Sequence, residues 1–147
     1  MSSLRNAPPR NAPKAHLLIA EDDPDIGEHL VALFSRKGYA VRHTSSGAEA
    51  LQKMTSLPPY DLVLLDVKLP EKDGFEVLRE ARRGGVSSPV IMLTVKDADK
   101  HKLRGFDLGA DDYVTKPFDT KELAARVEAV LARSESALPD TGDVYTF

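Results

Sequence analysis

Five short apolar runs recur along the chain: "LLIA" (17–20), "YAV" (39–41), "LVLL" (62–65), "VIML" (90–93) and "YV" (113–114). Each is followed by a segment with helical spacing. This alternation constrains the fold more than any other feature, because strands separated by helices pair in parallel, are covered on both faces and so read as unbroken apolar runs. Ile26, Leu30, Leu33 and Phe34 follow the spacing i, i+4, i+7, i+8, and Leu123, Val127, Val130 and Leu131 repeat it, which predicts two helices with one apolar face each. Ala50, Leu51 and Met54 predict a shorter helix after "SSG", and Phe75, Leu78 and Ala81 or Arg82 another after "KDG". A fifth helix over 98–108 is the weakest, with Leu103, Phe106 and Leu108 set among many charges. Gly38, the pair Gly84 and Gly85, and Gly109 sit where helices should stop. The expected architecture is α/β, a (βα)5 doubly wound parallel five-stranded sheet between two helix layers.

A chain of 147 residues is long enough for one domain with a proper core. Its formal charge of −3 gives no general attraction to nucleic acid or anionic membrane. The absence of cysteine excludes disulfides, thiolate metal sites and thiol nucleophiles. Residues 1–15, "MSSLRNAPPRNAPKA", lack the apolar run of a signal peptide and are expected to form a flexible leader. No stretch approaches the ~18 apolar residues of a membrane span, so a cytoplasmic protein without membrane contact is expected. The domain is expected over 16–133. From 134 onward, "SESALPDTGDVYTF" has the composition of a polar linker.

In sheets of this kind ligands bind beyond the carboxyl ends of the strands, where strand order reverses. The first strand leads into Glu21, Asp22, Asp23 and Asp25, a crowd of carboxylates that resist ionising together. Asp23 before Pro24 also suits a helix N-cap with proline at the first helical position, and Asp25 suits the helix dipole. The third strand ends in Asp66, the fourth in Thr94, and the fifth is followed by Lys116 and Pro117. Carboxylates with open coordination positions suit Mg²⁺, whose charge would relieve their repulsion. Asp66 is the central candidate for a carboxylate nucleophile toward phosphorus. An ammonium at Lys116 and a hydroxyl at Thr94 could hold the transferred group. Taken singly, Lys116 suits a surface lysine beside a turn and Thr94 a cap, whereas a lone charge at Asp66 would be costly. His16, His29, His43 and His101 share no metal-site spacing, and no phosphate-binding loop or serine-nucleophile motif occurs.

The stretches "LIAEDD", "DLVLLDVKLPEKDGFEVL", "VIMLT" and "GADDYVTKPFDTKELAARV", in this order over about 17–132, resemble the receiver domain of two-component response regulators. The last is most similar to receivers of the OmpR/PhoB transcription factors. The resemblance implies a flavodoxin-like fold and a signalling domain rather than a turnover enzyme. Asp66 would take a phosphoryl group from a sensor histidine kinase. Asp22, Asp66 and the Lys68 backbone carbonyl would bind Mg²⁺, with Glu21 acting on its water shell. Lys116 would contact the phosphoryl group, Thr94 and Tyr113 would form a switch pair, and the Lys116–Pro117 bond would be cis. Phosphorylation would favour a homodimer through the 98–108 helix, the fifth strand and the last helix. Its contacts would join Lys102 to Glu122 and Asp111 or Asp112 to Arg126, around Phe106 and Ala124.

The tail "GDVYTF" resembles the opening strand of a winged-helix DNA-binding domain, so DNA would be bound only through a C-terminal domain outside this chain. Two positions depart from the family pattern: Val95 stands where a small residue is usual, and Lys68 brings a charge two residues after Asp66. Haloacid-dehalogenase-type phosphatases place a second acid where Lys68 stands, which argues against that chemistry. The alternative is a phosphorylation-independent receiver-like interaction module, expected to lack an acid, Thr94 or Lys116. All are present.

Overall fold

The computed structural model describes residues 12–95 and 108–136. In chain order these form β1 (His16–Ala20), α1 (Pro24–Arg36), β2 (Ala40–Thr44), α2 (Gly47–Met54), β3 (Leu62–Asp66), α3 (Gly74–Arg83), β4 (Val90–Val95), β5 (Asp112–Lys116) and α4 (Thr120–Ser136). The strands make one parallel sheet in the order β2-β1-β3-β4-β5. The expected helix over 98–108 lies outside the described residues except for Leu108, as do the leader up to Asn11 and the tail beyond Ser136.

Alternate residues of each inner strand feed opposite sides of the sheet. Leu18, Ala20, Val63 and Leu65 pack with Ala50 and Met54 of α2 and with Phe75, Leu78 and Ala81 of α3. Leu17, Ile19, Leu62 and Leu64 pack with Leu30 and Phe34 of α1 and with Leu123, Val127 and Val130 of α4. Leu17, Leu18, Leu64 and Leu65 are wholly buried, which accounts for the unbroken apolar runs of β1 and β3. The edge strands read differently. β2 extends past the apolar "YAV" through Arg42 and His43, which are exposed, and β5 extends from Asp112 to Lys116. An outermost strand has one open flank, so polar residues cost it little and the apolar run understates its length.

Helix ends follow the sequence signals. Asp23 caps α1, accepting hydrogen bonds from the backbone N–H of Asp25 (2.9 Å) and Ile26 (3.3 Å), with Pro24 in the first helical position. Asp73 and Glu76 form a reciprocal capping box at the start of α3. Within the expected leader, the Lys14 N–H donates to Gly38 O, and the Ala15 carbonyl accepts from the Ala40 N–H. The chain runs from β1 outward to β2, then returns across to β3. The reversal of strand order therefore falls between β1 and β3, the two strands that end in acids.

Candidate functional site

The turn after β1 divides its carboxylates between distinct tasks. Asp23 is spent on the helix cap, while its own N–H donates to Glu21 Oε2 at 3.0 Å and helps aim that side chain. Glu21 is held from the other side as well. Its N–H donates to Thr44 O at 3.0 Å, and a His43 ring nitrogen lies 2.8 Å from its carbonyl oxygen. Its side chain is 1% exposed, whereas Asp22 beside it is exposed.

Asp66 ends the central strand and is 4% exposed. Its Oδ1 accepts the Lys68 N–H at 3.3 Å and its Oδ2 accepts from Lys116 Nζ at 3.0 Å. The same ammonium lies 2.7 Å from Glu21 Oε1. One carboxylate oxygen each from Glu21, Asp22 and Asp66 lies within 4.8 Å of the others. Three acids against one ammonium leave an excess of negative charge in a largely buried space.

The titration of the group reflects that excess. Burial, reinforced by the Glu21 charge, pushes the Asp66 carboxyl up to about 6 against the pull of Lys116. Burial alone would depress the Lys116 ammonium, but hydrogen bonds and charge from Glu21 and Asp66 outweigh it and raise Lys116 above its ordinary range. A divalent cation would remove the conflict. The donor set fits a hard cation such as Mg²⁺: oxygen ligands only, several of them anionic, with exposed Asp22 leaving room for water.

Thr94 lies at the end of β4, one residue beyond the partner of Asp66 in the strand register. It is 1% exposed, and its hydroxyl has no hydrogen-bond partner among the described residues. A buried unpaired hydroxyl is costly and marks a place where an acceptor is expected. Tyr113 is buried, Val95 is exposed, and the Lys116–Pro117 bond is cis. A cavity of about 520 Å³, bordered by Asp22, Lys68, Pro70, Asp73 and Phe75, opens beside the acids. Together these groups can bind a cation, present a carboxylate nucleophile and surround an anion with an ammonium and a hydroxyl.

Of the expected dimer-face residues, Lys102 and Phe106 lie outside the described residues. Arg126 is engaged within its own chain: Nη1 donates to both Asp112 carboxylate oxygens at 2.9 Å, and Nε donates to Glu122 at 3.2 Å. Asp111 instead approaches Arg82 at 3.6 Å. Ala124 is 6% exposed and packs with the core beside Leu123 and Val127.

Sequence reading missed Gly74. Its N–H donates to Val67 O at 2.8 Å, and a Cβ there would stand 2.3 Å from the Asp66 carbonyl oxygen, so α3 begins directly against the backbone of Asp66. The signal was the "KDG" turn, read only as a helix start. Gly74→Ala is expected to cost about 1–3 kcal/mol of stability by overpacking and to disturb Asp66. Chemical denaturation checks the first effect, and the Asp66 amide resonance the second.

Residues 17–128 match the family model described as the response regulator receiver domain. The transcriptional regulatory protein PhoP of alkaline phosphatase synthesis in Bacillus subtilis is 45% identical over 125 residues, which are 85% of this chain and 52% of that protein. This chain therefore spans about half the length of that curated relative. The receiver domain of Francisella response regulator 1452 superposes with a TM-score of 0.77 at 32% identity, covering 82% of this chain and 99% of that one. The receiver domain of sensor histidine kinase PA1611 from Pseudomonas aeruginosa, solved with a magnesium ion in its active site cleft, gives 0.73 at 28% identity over 80% of this chain and 98% of that one.

Proposed function

The chain belongs to the response regulator receiver family, and from that premise we propose that Asp66 accepts a phosphoryl group from a phosphohistidine of a sensor kinase. One observation carries the reading. A buried carboxylate at the end of the central strand is hydrogen-bonded to Lys116 and lies within reach of two further acids. A structural role alone would leave that crowding unexplained.

In the proposed transfer a carboxylate oxygen of Asp66 attacks phosphorus in line, an O–P bond forms, and the P–N bond to the histidine breaks. Its electron pair stays on the imidazole nitrogen, which takes a proton from water. The work of the protein is positioning and charge compensation. Lys116 holds the Asp66 carboxylate before transfer and pairs with a phosphoryl oxygen afterwards. The Thr94 hydroxyl, unpartnered among the described residues, then gains an acceptor. Asp22, Asp66 and the Lys68 backbone carbonyl would hold Mg²⁺, with Glu21 acting through its water shell. The cation would neutralise the carboxylates and the incoming phosphoryl oxygens.

We read the Thr94 hydroxyl and the Tyr113 ring as the switch that carries the change outward, favouring a homodimer through 98–108, β5 and α4. Lys102, Phe106, Asp111, Asp112, Glu122, Ala124 and Arg126 are its proposed contacts. Asp112, Glu122 and Arg126 already pair within one chain, so the dimer would have to extend or exchange that network. PhoP is a transcriptional regulator of about twice the matched length. Control of transcription in this protein is therefore assigned to a DNA-binding domain following the receiver. No helix among the described residues is long and apolar enough to cross a membrane, in keeping with a proposed cytoplasmic role.

Incubation with Mg²⁺ and acetyl phosphate is expected to give a single phosphoryl adduct by intact mass, absent when the cation is chelated, with a shift toward dimer by light scattering. A chain that takes neither phosphoryl nor beryllofluoride, yet dimerises constitutively, would instead be the phosphorylation-independent module.

A further inference from the structure

Arg82, at the end of α3 farthest from Asp66, spends its side chain on the loops that lead into two other strands. Nη1 donates to Val86 O and Ser88 O, both at 2.9 Å, in the loop entering β4. Nη2 donates to Gly109 O at 2.9 Å and lies 3.6 Å from Asp111 Oδ2, in the loop entering β5. Asp111 continues the link: its Oδ2 accepts the Val90 N–H at 2.8 Å, while its own N–H donates to Val90 O at 2.8 Å. Gly109 fits this node for two reasons. Its φ is +102°, and a Cβ there would stand 3.0 Å from Arg82 Nε.

Strand β5 is five residues long and, among the described residues, pairs only with β4. A slip of one residue would exchange its two buried side chains, Tyr113 and Val114, between the faces of the sheet, and a slip of two would keep each face but draw Asp111 or Thr115 and Asp112 or Lys116 into their places. A two-residue slip would carry Lys116 about 6.6 Å along the sheet, far beyond its 3.0 Å contact with Asp66. Two buried apolar residues are a short anchor, so the contacts of the loops entering β4 and β5 add to what holds the register that sets Thr115 opposite Thr94 and Lys116 opposite Val95.

We infer that Arg82 is a positioning residue for the phosphoryl site: by tying the loop entering β4 to the loop entering β5, it fixes the strand register that delivers Lys116 to Asp66. The inference rests on the reading of Asp66 and Lys116 given above. A guanidinium suits the task because its planar fork serves three carbonyls and a carboxylate at once, which the single ammonium of lysine cannot do.

Arg82→Met and Arg82→Lys test the assignment through backbone amide shifts and through phosphoryl uptake from acetyl phosphate with Mg²⁺, at a temperature where circular dichroism shows both variants folded. Arg82→Met is expected to move the amides of Thr94, Thr115 and Lys116 at the opposite end of the strands, and to slow uptake roughly tenfold to 100-fold through misplacement of Lys116. Arg82→Lys should fall between parent and Met. Shifts confined to 82–90 and 108–112, with uptake unchanged, would overturn the inference and leave Arg82 a local support. If Arg82→Met does not fold, Asp111→Asn keeps the carbonyl contacts while weakening the charged one. It should shift the same distant amides by a smaller amount, and their constancy would count against the proposal. If the parent itself takes up no phosphoryl group, the functional reading fails, and the amide shifts alone decide the role of Arg82.

Discussion

Asp66→Asn is expected to abolish phosphoryl uptake and, in metal-free buffer near neutral pH, to make the protein more stable. The loss of uptake follows from removing the nucleophilic oxygen. The gain in stability follows from the sign of the shift. The Asp66 carboxyl is raised from 3.8 to about 6 in the folded protein, chiefly by burial and then by Glu21. Its favourable contribution is therefore complete below the unfolded value and is lost as pH rises through the folded one. A shift of that size corresponds to at most about 3 kcal/mol at neutral pH. The neutral amide escapes this penalty while giving up the charged bond to Lys116. Thermal denaturation should thus show Asp66→Asn and parent close together near pH 4 and the variant ahead by up to roughly 10 °C near pH 7. Mg²⁺ should narrow the gap by stabilising the parent far more than the variant, because binding to the native state alone raises stability.

Lys116→Met should have the opposite effect on stability and an equally severe effect on uptake. Its ammonium lies between Glu21 and Asp66, whose side chains are 1% and 6% exposed. Removing it strands two buried carboxylates side by side. Breaking such a pair by deleting one partner typically costs about 3–5 kcal/mol. The deficit should be smallest in acid, where Asp66 is protonated, and should grow as pH rises through about 6. The raised Lys116 contributes stability that is complete below its unfolded value of 10.5 and is lost as pH rises through its higher folded one, so the deficit should shrink again only in strong alkali. Urea denaturation across pH checks this profile. Mg²⁺ should restore part of the stability without restoring rapid uptake, since the cation can offset the acids but cannot replace the ammonium at the phosphoryl oxygen.

Legibility in the sequence tracked burial. β1 and β3 are covered on both faces, and their apolar runs announce them. α1 and α4 each present one buried face and follow the helical period. β2 and β5 border the sheet, and the apolar pattern caught only their sheltered portions. The acids of the first turn show a further limit. Glu21, Asp22 and Asp23 are adjacent in sequence, yet one is buried against Lys116, one is exposed and one caps α1. Chain order placed all of them near Asp66 but could not divide these tasks, which depend on Thr44, His43 and the direction of the turn. In "FEVLREAR" the helical period allowed Ala81 or Arg82 on the inward face. Ala81 is buried in the core, and Arg82 reaches across to Gly109, a contact between residues 27 apart that no local pattern encodes.

The central claim is that Asp66 itself carries the phosphoryl group. Treating the phosphorylated chain with sodium borohydride reduces an aspartyl phosphate to homoserine, and peptide mass mapping then locates the change. The account predicts homoserine at position 66 alone, requiring Mg²⁺ during phosphorylation and vanishing in Asp66→Asn. Homoserine at Asp22, Asp23 or Asp25, or an adduct that survives the loss of Asp66, would contradict it.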